Sequence, residues 1–305
     1  MEITSLETNL PLVSIVVVTY NSSCFVLETL ESIYNQTYEN IELIITDDCS
    51  EDDTVQKCKF WIETHHKRFV SVNLLTSSYN TGVSANANRG YSSTKGLWIK
   101  GIAGDDILLP KCIELYMNHI RKYPQIELCT SKAQCFSLSK TGEKEYRDII
   151  PTIQHQRIFN LSALEQMKIL LDQNIIPTPT MIIKKDVYFK YPYNNIYRYM
   201  EDLPFLIKVT SNNIKLDFLD ETTILYRLSD KSISHANNML YPSKMYESKT
   251  IYYLNEKKDL INKNTPFLKK REEKDILLWW ISEVCFQNKK TFFSRIVLRI
   301  LKKII

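Results

Sequence analysis

Acidic side chains come in adjacent pairs in this chain, at Asp47-Asp48, Asp105-Asp106 and Glu201-Asp202. Two ionised carboxylates side by side repel each other, and a divalent cation reverses that cost. Mg2+ and Mn2+ take oxygen ligands, commonly one or two carboxylates together with substrate phosphates. Asp105-Asp106 lie in GIAGDDILLP (101–110), with Gly101, Ala103 and Gly104 behind them and a Leu-Leu-Pro ahead that reads as a helix start. The pair is either a cation seat or a helix N-cap. Asp47-Asp48 either accepts a hydrogen bond from a nucleobase or ribose, or caps the helix that follows Ser50. Glu201-Asp202 opens a helix, where an acid suits the dipole; a carboxylate is also the group that takes a proton from a sugar hydroxyl. Asn80 and Gly82 stand between a strand and a helix, in a plain cap or at an anion site. Arg227 pairs either with phosphate or with an acid. His235 is a loop histidine. His65-His66 reads as solvated, and Trp279-Trp280 as packing.

Positioning such groups takes a sheet. VSIVVV (13–18) and IELIIT (41–46) are β-branched runs of the kind that form buried parallel strands. Strands are also predicted over 69–75 and 97–102, and helices over 23–35, from about 50, over about 82–93 and over 110–122. This alternation predicts right-handed βαβ units, with ligands at the carboxyl ends of the strands. Thr19-Tyr20-Asn21, Asp47-Asp48 and Asp105-Asp106 all fall at such ends. Beyond 122 the reading is a strand (126–136), a turn at Lys140-Thr141-Gly142 and a loose segment to about 160. A helix (162–173), a strand (180–184), a helix (201–212), strands at 214–219 and 223–227, and helices from 241 onward complete it.

The bulk numbers narrow the function classes. The chain has 305 residues, 44% hydrophobic and 24% charged, as expected of a large α/β domain with an appendage. Six glycines form neither a dinucleotide fingerprint nor a P-loop. The loop after the first strand, TYNSSC, lacks the glycine-rich basic character of a nucleotidyltransferase. Seven cysteines at scattered positions show no redox or metal spacing, which points to a reducing compartment. No apolar run approaches the roughly 20 residues that span a bilayer, and the first residues carry no signal pattern. Residues 241–305 hold 15 Lys/Arg and 7 Asp/Glu, a net of +8, against 24 and 28, a net of −4, in the rest. An acidic body suits a metal, and a basic tail suits an anionic surface.

VSIVVVTYN (13–21), IELIITDDCSEDDT (41–54), NTGVSANANRG (80–90), GDD (104–106), ED (201–202) and YRLSDKSIS (226–234) together resemble inverting glycosyltransferase family 2, over about residues 11–235. The resemblance implies an α/β GT-A fold: a Rossmann-like, mixed but mainly parallel sheet flanked by helices. Residues 1–235 would be the transferase domain, with a nucleotide-sugar half (about 11–110) and an acceptor half (111–235). Residues 236–305 would be a helical extension. Thr19, Tyr20 and Asn21 would line the base pocket; Asp48 would read the base with support from Asp47. Asn80, Gly82 and Arg227 would join the nucleotide-sugar site. Asp105 would contact ribose or sugar, and Asp106 would bind Mn2+ or Mg2+ with the diphosphate. Asp202 would be the base and Glu201 its support. Two departures stand out. The family often has Ala-Arg-Asn where this chain has Asn86-Ala87-Asn88, with Arg89 two residues later on a different helix face. Many members also have a His where this chain has Ser229.

The tail KKTFFSRIVLRILKKII (289–305) is a basic amphipathic helix, too short to span a bilayer. It either lies in an anionic membrane surface or packs on protein, as in a homodimer. The expectation is a metal-dependent enzyme moving a sugar from a nucleotide sugar, UDP-linked by preference, to a glycan or lipid-linked oligosaccharide. It would work from the cytoplasm, peripherally on the inner face of the cytoplasmic membrane, in bacterial cell-surface polysaccharide synthesis. Nucleic acid is not an expected partner. The alternative is a non-catalytic sugar-nucleotide-binding or scaffold protein of the same fold.

Overall fold

The computed structural model describes residues 10–229 and 239–304. Strands β1 (Val13–Thr19), β2 (Ile41–Asp47), β3 (Val72–Thr76) and β4 (Trp98–Ala103) pair in parallel around β1. Their register sets Val16 between Ile44 and Gly101. Strands β5 (Ile107–Leu108), β6 (Leu128–Leu138), β7 (Lys144–Ile150), β8 (Ile182–Lys184) and β9 (Asp217–Arg227) extend the same sheet. Its order is β3-β2-β1-β4-β8-β6-β9-β5, with β7 beside β6. Short β8 bridges the halves, antiparallel to both β4 and β6.

Eleven helices surround it among the described residues: α1 (Val26–Tyr34), α2 (Thr54–His65), α3 (Val83–Ser92), α4 (Cys112–Lys122), α5 (Ala163–Asp172), α6 (Lys185–Lys190), α7 (Asp202–Ser211), α8 (Ser243–Tyr252), α9 (Lys258–Asn264), α10 (Lys269–Phe286) and α11 (Phe292–Ile304). Leu30, Ile33, Trp61, Ile113 and Tyr116 of α1, α2 and α4 bury one face of the sheet. Tyr91, Leu170, Tyr188 and Leu206 of α3, α5, α6 and α7 bury the other. Both faces being covered explains why β1 and β2 read as continuous apolar runs. Tyr252, Ile261 and Leu268 belong to the same core as α5 and α7, so the C-terminal helices are packed onto the body.

Three expectations are corrected. Ile107-Leu108 is a short strand against Leu225 and Ile224, and the helix begins only at Cys112. The segment read as loose contains β7, exposed along nearly its whole length, so no inside–outside alternation marked it. The two strands read at 214–219 and 223–227 are one, with Asp220-Glu221 absorbed as a bulge opposite Ser131 and Lys132.

Candidate active site

The carboxyl ends of β1, β2 and β4 carry the first group of residues. Asp47 is buried; its carboxylate accepts from Thr19 Oγ1 (2.8 Å), Ser50 N (2.8 Å) and Ser50 Oγ (2.5 Å). Asn21, at φ +51°, takes Ser50 Oγ with its own N–H and receives Glu51 N on Oδ1. Asp47, Thr19 and Asn21 thus lock two strand-end loops together. Tyr20 remains half exposed above them.

Asp48 is also buried, and its oxygens accept from Thr81 N (2.9 Å), Gly82 N (2.7 Å) and Thr81 Oγ1 (2.5 Å). Gly82 has φ +93°, and a Cβ there would strike the Arg198 side chain and carbonyl. Arg198 in turn donates to the carbonyl and Oδ1 of Asn80. Sequence placed Arg89 on the wrong face for this site, but the structure brings its guanidinium here. Nη2 lies 3.4 Å from Asp48 Oδ1, and Nη1 donates to Asn86 Oδ1 at 2.9 Å. Asn86, one turn earlier, steers the long side chain, and its Nδ2 holds the Thr19 carbonyl.

The second group lies around β4 and β9. Asp106 is 2% exposed, and one carboxylate oxygen accepts the Arg227 backbone N–H at 2.9 Å. Asp105 is the more open of the two. Burial, then the Asp105 charge, pushes the Asp106 carboxyl well up; burial also raises Asp105, against the pull of Arg227. Gly104 gives close contact with Thr19 and Ser22, so its small size serves packing.

Arg227 is held between two aromatic rings. Its guanidinium sits 4.1 Å from the Phe25 ring centroid and 4.6 Å from that of Phe136, and it is 5% exposed. It donates to Glu28 and to the Asp105 carbonyl. Its Nη1 is buried without a hydrogen-bond partner among the described residues; desolvated cation–π contacts contribute about 2 kcal/mol.

The third group is Glu201-Asp202, at the start of α7. Asp202 accepts from Asn174 Nδ2 (2.8 Å) and Thr178 Oγ1 (2.7 Å) on one oxygen and from Leu203 N on the other. Burial and the neighbouring Asp202 push the Glu201 carboxyl up to about 8. Sequence reasoning missed Thr178, Asn174 and Lys100. Lys100 is fully buried in β4, and its ammonium donates to the carbonyls of Gly101 and Pro179. Burial lowers it to about 8, while Asp106 nearby opposes that shift. Pro177-Thr178-Pro179 therefore links Lys100 to Asp202, with Pro179 on Lys100 and Thr178 on Asp202. Tyr226 closes the circle: burial raises its hydroxyl, as do the carboxylates of Asp106, Asp105 and Asp202 together. Acids of both pairs thus act on one hydroxyl. His235 and residues 230–234 of the last motif lie outside the described residues.

A half-Rossmann sheet with paired acids at its strand ends, joined through a short bridging strand to a second half, defines a glycosyltransferase of the GT-A fold. The chain belongs to glycosyl transferase family 2, whose sequence model matches residues 14–188, more than half of it. It is 28% identical over 254 residues to an uncharacterized glycosyltransferase of Haemophilus influenzae, covering 81% of this chain and 76% of that one. S. aureus TarS 1–349, solved in complex with UDP-GlcNAc, shares the fold at TM-score 0.60 and 17% identity, over 90% of this chain and 73% of that one. The mannosyltransferase PcManGT of Pyrobaculum calidifontis, solved with GDP-Man and Mn2+, matches at TM-score 0.57 and 13% identity, over 97% and 81%.

Proposed function

We propose that this glycosyltransferase moves a sugar from a UDP-linked donor to a hydroxyl of a glycan or lipid-linked oligosaccharide, with inversion at the anomeric carbon. The observation that carries the reading is the set of acids at the carboxyl ends of β1, β2 and β4 in a chain that matches glycosyl transferase family 2. Asp202, oriented by Thr178 and Asn174, takes the proton of the acceptor hydroxyl as that oxygen attacks the anomeric carbon. The bond to the nucleoside diphosphate breaks on the opposite side. Glu201, holding its proton, supports Asp202 from behind. Asp47, Thr19, Asn21 and Asn86 shape the floor of the base pocket, with Tyr20 above. Asp48, Asn80, Gly82 and Arg89 form its wall.

The donor set near Asp105 fits a hard divalent cation: carboxylate oxygens, raised by burial, without a cation bonded to the Asp105 carboxylate among the described residues. Asp105 replaces Asp106 as the proposed ligand, because Asp106 is enclosed and already accepts the Arg227 N–H. Bound there, Mn2+ or Mg2+ would neutralise the diphosphate oxygens of the leaving group. The UDP-GlcNAc complex of TarS and the Mn2+ complex of PcManGT favour this reading. The test is release of nucleoside diphosphate from a panel of UDP- and GDP-sugars, with and without Mn2+. Turnover is expected with UDP-sugars and is expected to fall on chelation. No release from any donor would leave the non-catalytic binding reading instead.

The reading extends to location. No helix among the described residues is long and apolar enough to cross a membrane. In α11, Ser294 and Leu298 are buried, while Phe292, Phe293, Ile296, Ile300 and Ile304 face outward. Lys289, Lys290, Arg295, Arg299, Lys302 and Lys303 are exposed around that apolar row. Each cation near an anionic surface contributes about 1 kcal/mol, and each inserted apolar side chain roughly 1.5–3 kcal/mol. The enzyme would then sit on the inner face of the cytoplasmic membrane, beside a lipid-linked acceptor. Replacing Phe292 and Ile300 with Glu, both on the exposed face, should release the protein from anionic vesicles in a sedimentation assay. Unchanged binding would sink the membrane reading; a loss of dimer in solution would assign the face to a second copy.

A further inference from the structure

At the other end of the sheet, three chemically different side chains converge from three elements. His119 stands in the last turn of α4, Cys129 near the start of β6, and Asp217 at the start of β9. Their ligand atoms all lie within 4.8 Å of one another, with His119 Nε2 3.1 Å from Asp217 Oδ1. Cys129 is fully buried, and the His119 and Asp217 side chains are 18% and 30% exposed. We propose that His119, Cys129 and Asp217 form a Zn2+ site that pins α4 to β6 and β9, with water as the fourth ligand.

The donor set selects the ion. One sulfur, one imidazole nitrogen and one carboxylate oxygen suit Zn2+, whereas Mg2+ and Mn2+ prefer all-oxygen sites. A tetrahedral ion with bonds of 2.0–2.3 Å needs its ligand atoms about 3.5 Å apart, within reach of this arrangement. The carbonyl end of α4 points the negative end of its dipole at the site, which favours a cation. A cavity of about 510 Å³, lined in part by Arg157, Asp217, Phe218 and Asp220, opens beside Asp217 and offers a way in. On binding, Cys129 gives its thiol proton to solvent, and His119 binds through Nε2 with its remaining proton on Nδ1.

The site is separate from the transfer crevice. Cys129 pairs with Asp217 on one rung of the β6–β9 ladder, and Phe136 pairs with Arg227 on another. Seven residues along β6 at 3.3 Å each place the rungs roughly 23 Å apart. The ion would therefore act on stability.

The test uses the full chain, stripped with chelator and titrated with Co2+. A thiolate-to-cobalt charge-transfer band is expected in the wild type and in Asp105→Asn, because Asp105 is not one of the three ligands. Zn2+ should bleach the band and raise Tm. Cys129→Ser should abolish the band; His119→Ala, at a partly exposed position, should weaken it without unfolding the protein. No band in the folded wild type, or a band that survives Cys129→Ser, overturns the proposal. Neither result bears on the transferase reading, which stands on nucleotide release.

Discussion

Asp202→Asn is expected to lose transfer while keeping the donor. The substitution leaves a carbonyl oxygen where Thr178 and Asn174 now donate, so the side chain keeps its place. What disappears is the ability to take a proton. General-base assistance is worth roughly 10²- to 10⁴-fold in rate, and kcat should fall by that much with nucleotide-sugar affinity unchanged. Glu201→Gln is the control. Glu201 holds its proton at neutral pH because burial and Asp202 push it up to about 8. A neutral amide imitates that state, and turnover should survive. Nucleotide release measured alongside donor binding separates the two variants. Normal turnover in Asp202→Asn would reject the base assignment.

Asp105→Asn is expected to make the enzyme insensitive to added Mn2+. A leaving diphosphate without its neutralising ion loses several kcal/mol of stabilisation. At about 1.4 kcal/mol per decade, that lowers kcat by roughly 10²- to 10³-fold. Nucleotide affinity in Mn2+ should fall to its value in chelator. Asp106→Asn should behave differently. Its carboxylate is enclosed and holds the Arg227 backbone, so the first effect is on Tm. If Asp106→Asn removes the Mn2+ response and Asp105→Asn does not, the ligand is Asp106, as the family resemblance implied.

The nucleotide half was legible because its strands are buried on both faces and its helices on one, which leaves strong periodic patterns. The acids at 47–48, 105–106 and 201–202 stood out as pairs. Their division of labour did not, since whether an oxygen is free depends on its neighbours: Asp48 is taken up by Thr81 and Gly82, and Asp106 by Arg227. The surroundings of Arg227 were equally hidden, since Phe25, Phe136 and Glu28 come from elsewhere in the chain. Lys100 was invisible inside LWIKGI because a lysine in an apolar strand carries no pattern of its own. Its partner Pro179 is 79 residues away. The same holds for His119, Cys129 and Asp217, which no spacing rule connects.

Pro177-Thr178-Pro179 has a mechanical meaning. The buried Lys100 of β4 and the Asp202 carboxylate at the start of α7 hang from successive residues of one short, proline-flanked length of backbone. Tyr116 holds that length from below through the Thr180 carbonyl. If the two halves of the sheet breathe, Lys100 and Asp202 move together. Under the proposed transfer reading, freedom to take different acceptors would then lie in surfaces such as the exposed β6–β7 hairpin, whose shape can vary without moving that tie.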